Sequence, residues 1–272
     1  MKGKGEKEMI LPEKIRSMVT DEPYERDEIG MSGASIFLFG DQVLKVQDDA
    51  EEAENEARMM RFLQGKLPVP RIRACEGYEG KSYLLMSKCE GQMACAREYM
   101  SHPTVLCKLL AEGLKRLWSV DISDCPSDQT LMRKLEMARY NIEHGLVDME
   151  NVEPDTFGED GFRDPEELLA WLYENRPEEE LVLSHGDYCL PNIFGRKDEI
   201  TGFIDLGKTG IADKWCDIAI CYRSLSHNYS GRYGQRFDVV CSEYDDRQLF
   251  RELGVEPDWE KIRYYILLDE LF

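Results

Sequence analysis

The spacing of Asp187, Asn192 and Asp205 constrains this chain more than any other feature. The first aspartate sits in His185-Gly186-Asp187, Asn192 follows five residues on, and Asp205-Leu206-Gly207 comes eighteen residues after Asp187. Two carboxylates and an amide in this order match the needs of kinase-type phosphoryl transfer. One carboxylate faces the accepting hydroxyl, while the amide oxygen and the second carboxylate hold Mg²⁺ against nucleotide phosphates. A loose phosphoryl transition state needs alignment more than a strong base, so Asp187 is expected to orient the hydroxyl and take its proton late. Asn192 and Asp205 supply hard oxygen ligands of the kind Mg²⁺ prefers. Gly207 lets the chain turn immediately after the metal ligand.

A chain of 272 residues, 42% apolar and 32% charged, can form one large domain or two lobes with real cores. No apolar run is long enough to cross a bilayer, and the polar start MKGKGEKEMIL lacks the apolar core of a secretory leader. Nine cysteines without a C-x-x-C pair indicate neither a disulfide framework nor a zinc site. A reducing cytoplasm is the expected compartment. The net charge of −20 argues against nucleic acid, whose phosphates it would repel. Two readings of that charge stay open: a solvated acidic surface, or a field that attracts a cationic substrate. Residues 148–167 carry nine acids against the single base Arg163, shortly before the Asp187 segment.

The pattern along the chain predicts an α+β protein in two parts. A first helix near 12–19 precedes strands at Tyr24–Ile29, Ser35–Phe39 and Gln42–Val46, punctuated by Gly30, Gly33, Gly40 and Asp41. A helix over 49–64 follows, then strands at Arg71–Glu76 and Ser82–Met86, giving a five-stranded antiparallel sheet with one helix. Helical periods take over from residue 103, with further helices near 128–144, 164–175, 213–225, 234–253 and 257–271. Short strands at Leu181–Leu183, Ile193–Gly195 and Thr201–Ile204 frame the motif segment. The composition shift near 87–91 places the boundary between a first lobe, 1–88, and a second, mostly helical lobe, 89–272.

Lys45, in Val-Leu-Lys-Val, precedes an acid-rich helix, and an ammonium that bridges nucleotide phosphates needs a helix carboxylate to hold it. Glu56 shares a stripe with Met60 and Leu63; Glu52 lies on the same face, and Glu54 replaces it if the helix is rotated. The turn Gly30-Met31-Ser32-Gly33-Ala34-Ser35 is small enough for its backbone N–H groups to approach phosphates. Residues 202–209, Gly-Phe-Ile-Asp-Leu-Gly-Lys-Thr, fit the Walker A expression, but Phe-Ile-Asp-Leu reads as the strand itself and puts an aspartate where phosphate would sit. Lys208-Thr209-Gly210 matches one penicillin-binding signature, yet no S-x-x-K supplies the nucleophile.

Together these segments resemble the aminoglycoside 3′-phosphotransferases, antibiotic-resistance kinases related in fold to protein kinases. The likeness is carried by GKLPVPRI (65–72), DISDCP (121–126), SHGDYCLPNIF (184–194), GFIDLGKTGIADKWCDIA (202–219) and PDWEKIRYYILLDELF (257–272). It implies a two-lobed protein-kinase-like fold and Mg²⁺-dependent transfer of phosphate from ATP to the 3′-hydroxyl of drugs such as kanamycin and neomycin. By motif it makes Asp187 the catalytic base, Asn192 and Asp205 the metal ligands, and Lys45 with Glu56 the phosphate-positioning pair. Met31 and Ser32 would cover the phosphates, the linker Ser87-Lys88-Cys89 would offer backbone groups to adenine, and Ile204 would pack beneath the ring. Val43 stands where some relatives place an aromatic, which leaves ATP or GTP open as donor. On the acceptor side the resemblance implies Asp269, Glu270 and Phe272, with Glu153 and Asp155 on the opposite wall and Gln129 and Arg223 beside them. A cationic aminoglycoside would be the partner, with the protein a monomer or weak dimer. Acids at the end of the last helix support this reading, because negative charge there opposes the helix dipole by ~0.3–1 kcal/mol per group and a cationic ligand would offset it.

Overall fold

Alternation along the strands decides which side chains face the cleft. The computed structural model describes residues 11–19, 23–27, 34–48, 50–159, 161–232 and 244–272. Helix α1 (Glu13–Val19) leads into β1 (Tyr24–Asp27), β2 (Ser35–Phe39), β3 (Gln42–Gln47), helix α2 (Ala50–Leu63), β4 (Ile72–Tyr78) and β5 (Lys81–Ser87). The five strands form one antiparallel sheet in the order β1-β2-β3-β5-β4. Successive strand side chains point to opposite faces. Leu44, Val46, Tyr83 and Leu85 therefore pack with Ile15 and Val19 of α1 on the outer face. Leu84 and Met86 join Met59, Met60 and Leu63 of α2 in the second core. Each fully buried leucine here contributes about 1.5–3 kcal/mol. Lys45, between Leu44 and Val46, is turned to the inner face by the same alternation. The β4–β5 turn is tight, with Glu79 and Gly80 both at positive φ (50° and 75°), as two-residue hairpin turns require.

The second lobe runs through β6 (Gln92–Met93), α3 (Arg97–Met100), α4 (Pro103–Trp118), α5 (Leu131–Glu143), α6 (Pro165–Glu174), β7 (Leu181–Ser184), β8 (Ile193–Arg196), β9 (Glu199–Phe203), β10 (Gly210–Asp213), α7 (Lys214–Ser230), α8 (Gln248–Leu253) and α9 (Trp259–Asp269). Strands β7 and β10 pair, and β6, β8 and β9 form a small sheet. Helix α4 carries the most continuous apolar face, with Leu106, Leu109, Leu110, Leu114 and Leu117 buried. Helix α6 begins with a reciprocal cap: Asp164 accepts from Glu167 N at 2.9 Å, and Glu167 accepts from Arg163 N at 2.6 Å.

Some elements depart from the sequence pattern. Helix α5 starts at Leu131 rather than 128, because Gln129 N is drawn to Ile211 O and the Asp128 carboxylate accepts from Thr130 N. The expected helix over 234–253 is helical only in Gln248–Leu253 among its described residues; Asp245 accepts from Arg247 N and holds a turn before it. The first ten positions of that helix, 234–243, lie outside the described residues, as do Glu28 and Ile29 of the first strand. The short elements β6, α3 and β10 carried no sequence signal of their own. Among the described residues no helix is long and apolar enough to cross a membrane.

Candidate active site

The site forms where α2, β3 and the segment after β9 meet. Lys45 Nζ lies 3.0 Å from Glu56 Oε2 and 2.6 Å from Asp205 Oδ1. Lys45 and Glu56 are almost fully buried, whereas Asp205 is partly open to the cleft. Burial would lower the lysine's pKa, but the two carboxylates outweigh it and raise it above the usual range. Burial likewise works against Asp205, yet Lys45, with help from His185 and Lys208, holds its carboxyl below the ordinary value. Burial pushes Glu56 upward while the Lys45 ammonium pulls it back. The pairing resolves the choice within the helix: Glu56 faces Lys45, Glu54 is exposed, and Glu52 packs instead toward Gly207.

Asp187 and Asn192 are joined directly. Asn192 Nδ2 donates to Asp187 Oδ2 at 2.9 Å and to Asp187 O at 3.1 Å, so the amide nitrogen points back and its oxygen is spared. Ile204 N donates to Asn192 O at 3.0 Å, which ties the approach to Asp205 to the Asn192 turn. Asp205 adopts a left-handed conformation, φ 59° and ψ 59°, a geometry rare for non-glycine residues and concentrated at functional sites. Gly186 has φ 86°, and a Cβ there would lie 2.0 Å from Lys208 O. Only glycine allows the two motif turns to approach so closely.

Residues that sequence reasoning did not single out hold this arrangement. Asp217 of α7 is fully buried and accepts from Ser184 Oγ (3.0 Å), His185 N (2.7 Å) and Gly186 N (3.0 Å). Thr209 Oγ1 donates to His185 O at 2.8 Å. Asn55 donates from α2 to Gly207 O (2.7 Å) and Thr209 O (3.0 Å). For Asp217 and Asn55 the one available signal was a polar residue on a helix that also carries apolar positions. Lys208, a residue of the rejected Walker A match, is surrounded by Asp269, Asp187, Glu52 and Asp205; burial works against its charge, and these acids raise its pKa nonetheless.

At the end of β5, Ser87 N donates to Arg71 O, and just beyond it Lys88 N donates to Asp41 O. The Cys89 thiol packs against Gly202, and burial pushes it up to about 12. Met31 and Ser32 lie outside the described residues.

Next to the Asp187 and Asp205 motifs a cavity of about 570 Å³ is lined by Gln129, Gly186, Gly207, Lys208, Asp269 and Phe272, among others. The chain end is tethered by Asn141 Nδ2, which donates to Leu271 O at 2.9 Å, and the Lys208 ammonium lies 5.6 Å from the Phe272 ring. Arg223 pairs with Asp269 and, at 3.1 Å, with Glu270 Oε1; Glu270 Oε2 accepts from Glu153 N at 2.8 Å. Glu153 in turn pairs with Arg232 and, at 3.0 Å, with His227 Nε2. Burial is overcome at Asp269, which Arg223 and Lys208 hold below the usual range. At Glu270 burial prevails and raises the carboxyl to about 7, with Asp269 adding to the rise. Asp155 is exposed on the acidic loop, near enough to contribute to that rise.

A two-lobed fold with a lysine–glutamate pair beside two aspartates and an asparagine defines a phosphotransferase acting on an alcohol group. Residues 33–264 match the model of the phosphotransferase enzyme family. The chain is 41% identical to an aminoglycoside 3′-phosphotransferase of Enterococcus faecalis over 97% of this chain and 98% of the relative. It is 40% identical to one of Staphylococcus aureus, again over 97% and 98%. Among solved structures, an aminoglycoside-3′-phosphotransferase of type VIII superposes with a TM-score of 0.76 at 28% identity, covering 95% of this chain and 98% of that one. This chain therefore belongs to the aminoglycoside 3′-phosphotransferase family.

Proposed function

We propose that the protein transfers the γ-phosphoryl group of ATP to the 3′-hydroxyl of aminoglycosides of the kanamycin and neomycin class, with Mg²⁺ as the metal. The observation that carries this reading is the juxtaposition of two clusters: Lys45, Glu56 and Asp205 beside Asp187 and Asn192, and the acids Asp269 and Glu270 at the end of the chain. The first suits nucleotide phosphates, the second a substrate bearing ammonium groups. The lobes divide at residues 88 and 89, with nucleotide held by 1–88 and drug by 89–272.

The donor set fits Mg²⁺. Asn192 spends its amide nitrogen on Asp187, which leaves its oxygen for a hard cation, and the Asp205 carboxylate is partly open to the cleft. Such an ion would take its remaining ligands from phosphate and water. When bound, it would neutralise charge on the phosphate oxygens. Lys45, fixed by Glu56, aligns the phosphates, and the Ser87 carbonyl and Cys89 N–H meet adenine above Ile204. Asp187 accepts the proton of the drug hydroxyl as its oxygen bonds to the γ-phosphorus; the bond to the bridging oxygen breaks and ADP leaves. Asp269 and Glu270 receive ammonium groups beside Phe272, with Gln129, Glu153 and Asp155 lining the approach and Arg223 orienting the two helix-end acids.

Coupled ADP release with kanamycin and with tobramycin, which lacks a 3′-hydroxyl, tests the reading. Turnover of kanamycin alone is expected; equal turnover of both would refute the regiochemistry.

A further inference from the structure

Helix α2 presents Glu56 to Lys45, yet its closest attachment is to the other lobe. A Cβ on Gly207 would lie 2.3 Å from Glu52 Cγ, so the helix rests directly on the backbone that follows Asp205. At the centre of that seam lies Asn55, 5% exposed, whose amide nitrogen donates to both Gly207 O and Thr209 O. Thr209 carries the connection onward, donating its hydroxyl to His185 O two residues before Asp187. One side chain thus joins the helix that carries Glu56 to the segments that carry Asp205 and Asp187.

We infer that Asn55 is a positioning residue for phosphoryl transfer, stapling α2 to the Asp205 segment so that Lys45 is presented to the phosphates in fixed register with Asp187. The inference rests on the proposed reaction. It follows from the hydrogen-bond chemistry of the site: both partners are carbonyls, so the side chain must be a donor there, and an acceptor in the same volume is repelled. Asparagine satisfies both with one amino group; aspartate does so only when protonated, and then with a single hydrogen.

The test compares Asn55→Leu, Asn55→Asp and the exposed-face control Glu54→Gln with the unaltered enzyme. Turnover is measured from pH 5 to 9, and fluorescent-ADP binding and kanamycin calorimetry are run separately. Asn55→Leu is expected to lower kcat at least tenfold, with kanamycin affinity within about twofold of the unaltered enzyme and Glu54→Gln unchanged. Asn55→Asp is expected to regain activity as pH falls, opposite in direction to an enzyme that needs Asp187 and Asp205 ionised; this profile keeps the test decisive if Asn55→Leu fails to fold. Near-normal kcat in both Asn55 variants, or an Asn55→Asp profile parallel to the unaltered enzyme, overturns the inference. Absence of any kanamycin turnover by the unaltered enzyme would instead refute the proposed function, with the two binding measurements still reporting on Asn55.

Discussion

Replacing Asp217 by asparagine should damage the site from a residue that the proposed reaction never touches. The Asp217 carboxylate gathers three donors: Ser184 Oγ, His185 N and Gly186 N, at 2.7–3.0 Å. Asparagine keeps one oxygen and puts an amino group in place of the other, so one buried backbone N–H faces another donor. Hydrogen bonds to a charged acceptor contribute about 1.5–3 kcal/mol each. Asparagine keeps the Ser184 and Gly186 bonds on its oxygen and loses the one from His185 N. Leaving that buried N–H unsatisfied adds about 1–3 kcal/mol, roughly 2.5–6 kcal/mol together. Burial raises the pKa of this carboxyl, so the variant also escapes part of the cost of a buried charge, and the net loss settles near ~3 kcal/mol. At ~2–4 °C per kcal/mol for a chain of this order of size, Tm should fall by roughly 6–12 °C. The same bonds set the turn that carries Asp187, and a displacement of about 1 Å there costs on the order of 10²-fold in rate. Calorimetric melting together with coupled ADP release at 25 °C, where the variant is still folded, measures both effects. A melting point within ~2 °C of the unaltered enzyme and an unchanged kcat would show that the turn is held by something else.

Two further outcomes follow from the charges. Lys45→Met strands Glu56 at 1% exposure, and breaking a buried pair from one side costs about 3–5 kcal/mol; adding Glu56→Gln should return most of the stability in urea titrations without restoring turnover. At Glu270 the folded carboxyl is raised from 4.5 to about 7. The stability it contributes is therefore complete below about 4.5 and is lost as pH rises through about 7, whereas its attraction for ammonium groups grows over the same range. Glu270→Gln should flatten both trends, as read by melting and by drug calorimetry between pH 5 and 8.

The chemistry was legible in the sequence because it is local. Asp187, Asn192 and Asp205 fall within nineteen positions on short strands and turns, and the strand alternation that sends Lys45 inward can be read directly from Val-Leu-Lys-Val. Glu56 was legible as one of three candidates on α2, and the ion pair with Lys45 selected it. The scaffold was less visible. Asp217 and Asn55 look like ordinary polar positions in helices, and each acquires its role from backbone groups about thirty or one hundred and fifty residues away. Helix α8 begins later than periodicity suggests because the side chain of Asp245 competes for the backbone ahead of it.

On the acceptor side the division is sharpest. Sequence placed acids at the end of α9 and in the loop before α6, and charge counting alone left a solvated surface and a cationic ligand both open. Which acids already hold internal cations was decided by tertiary structure, where Arg223 meets Asp269 and Glu270, and Arg232 and His227 meet Glu153. Residue identity and local period fix what a side chain can do and which face it takes. Its partners, its burial and hence its protonation depend on segments far away in the chain, and only folding brings those together.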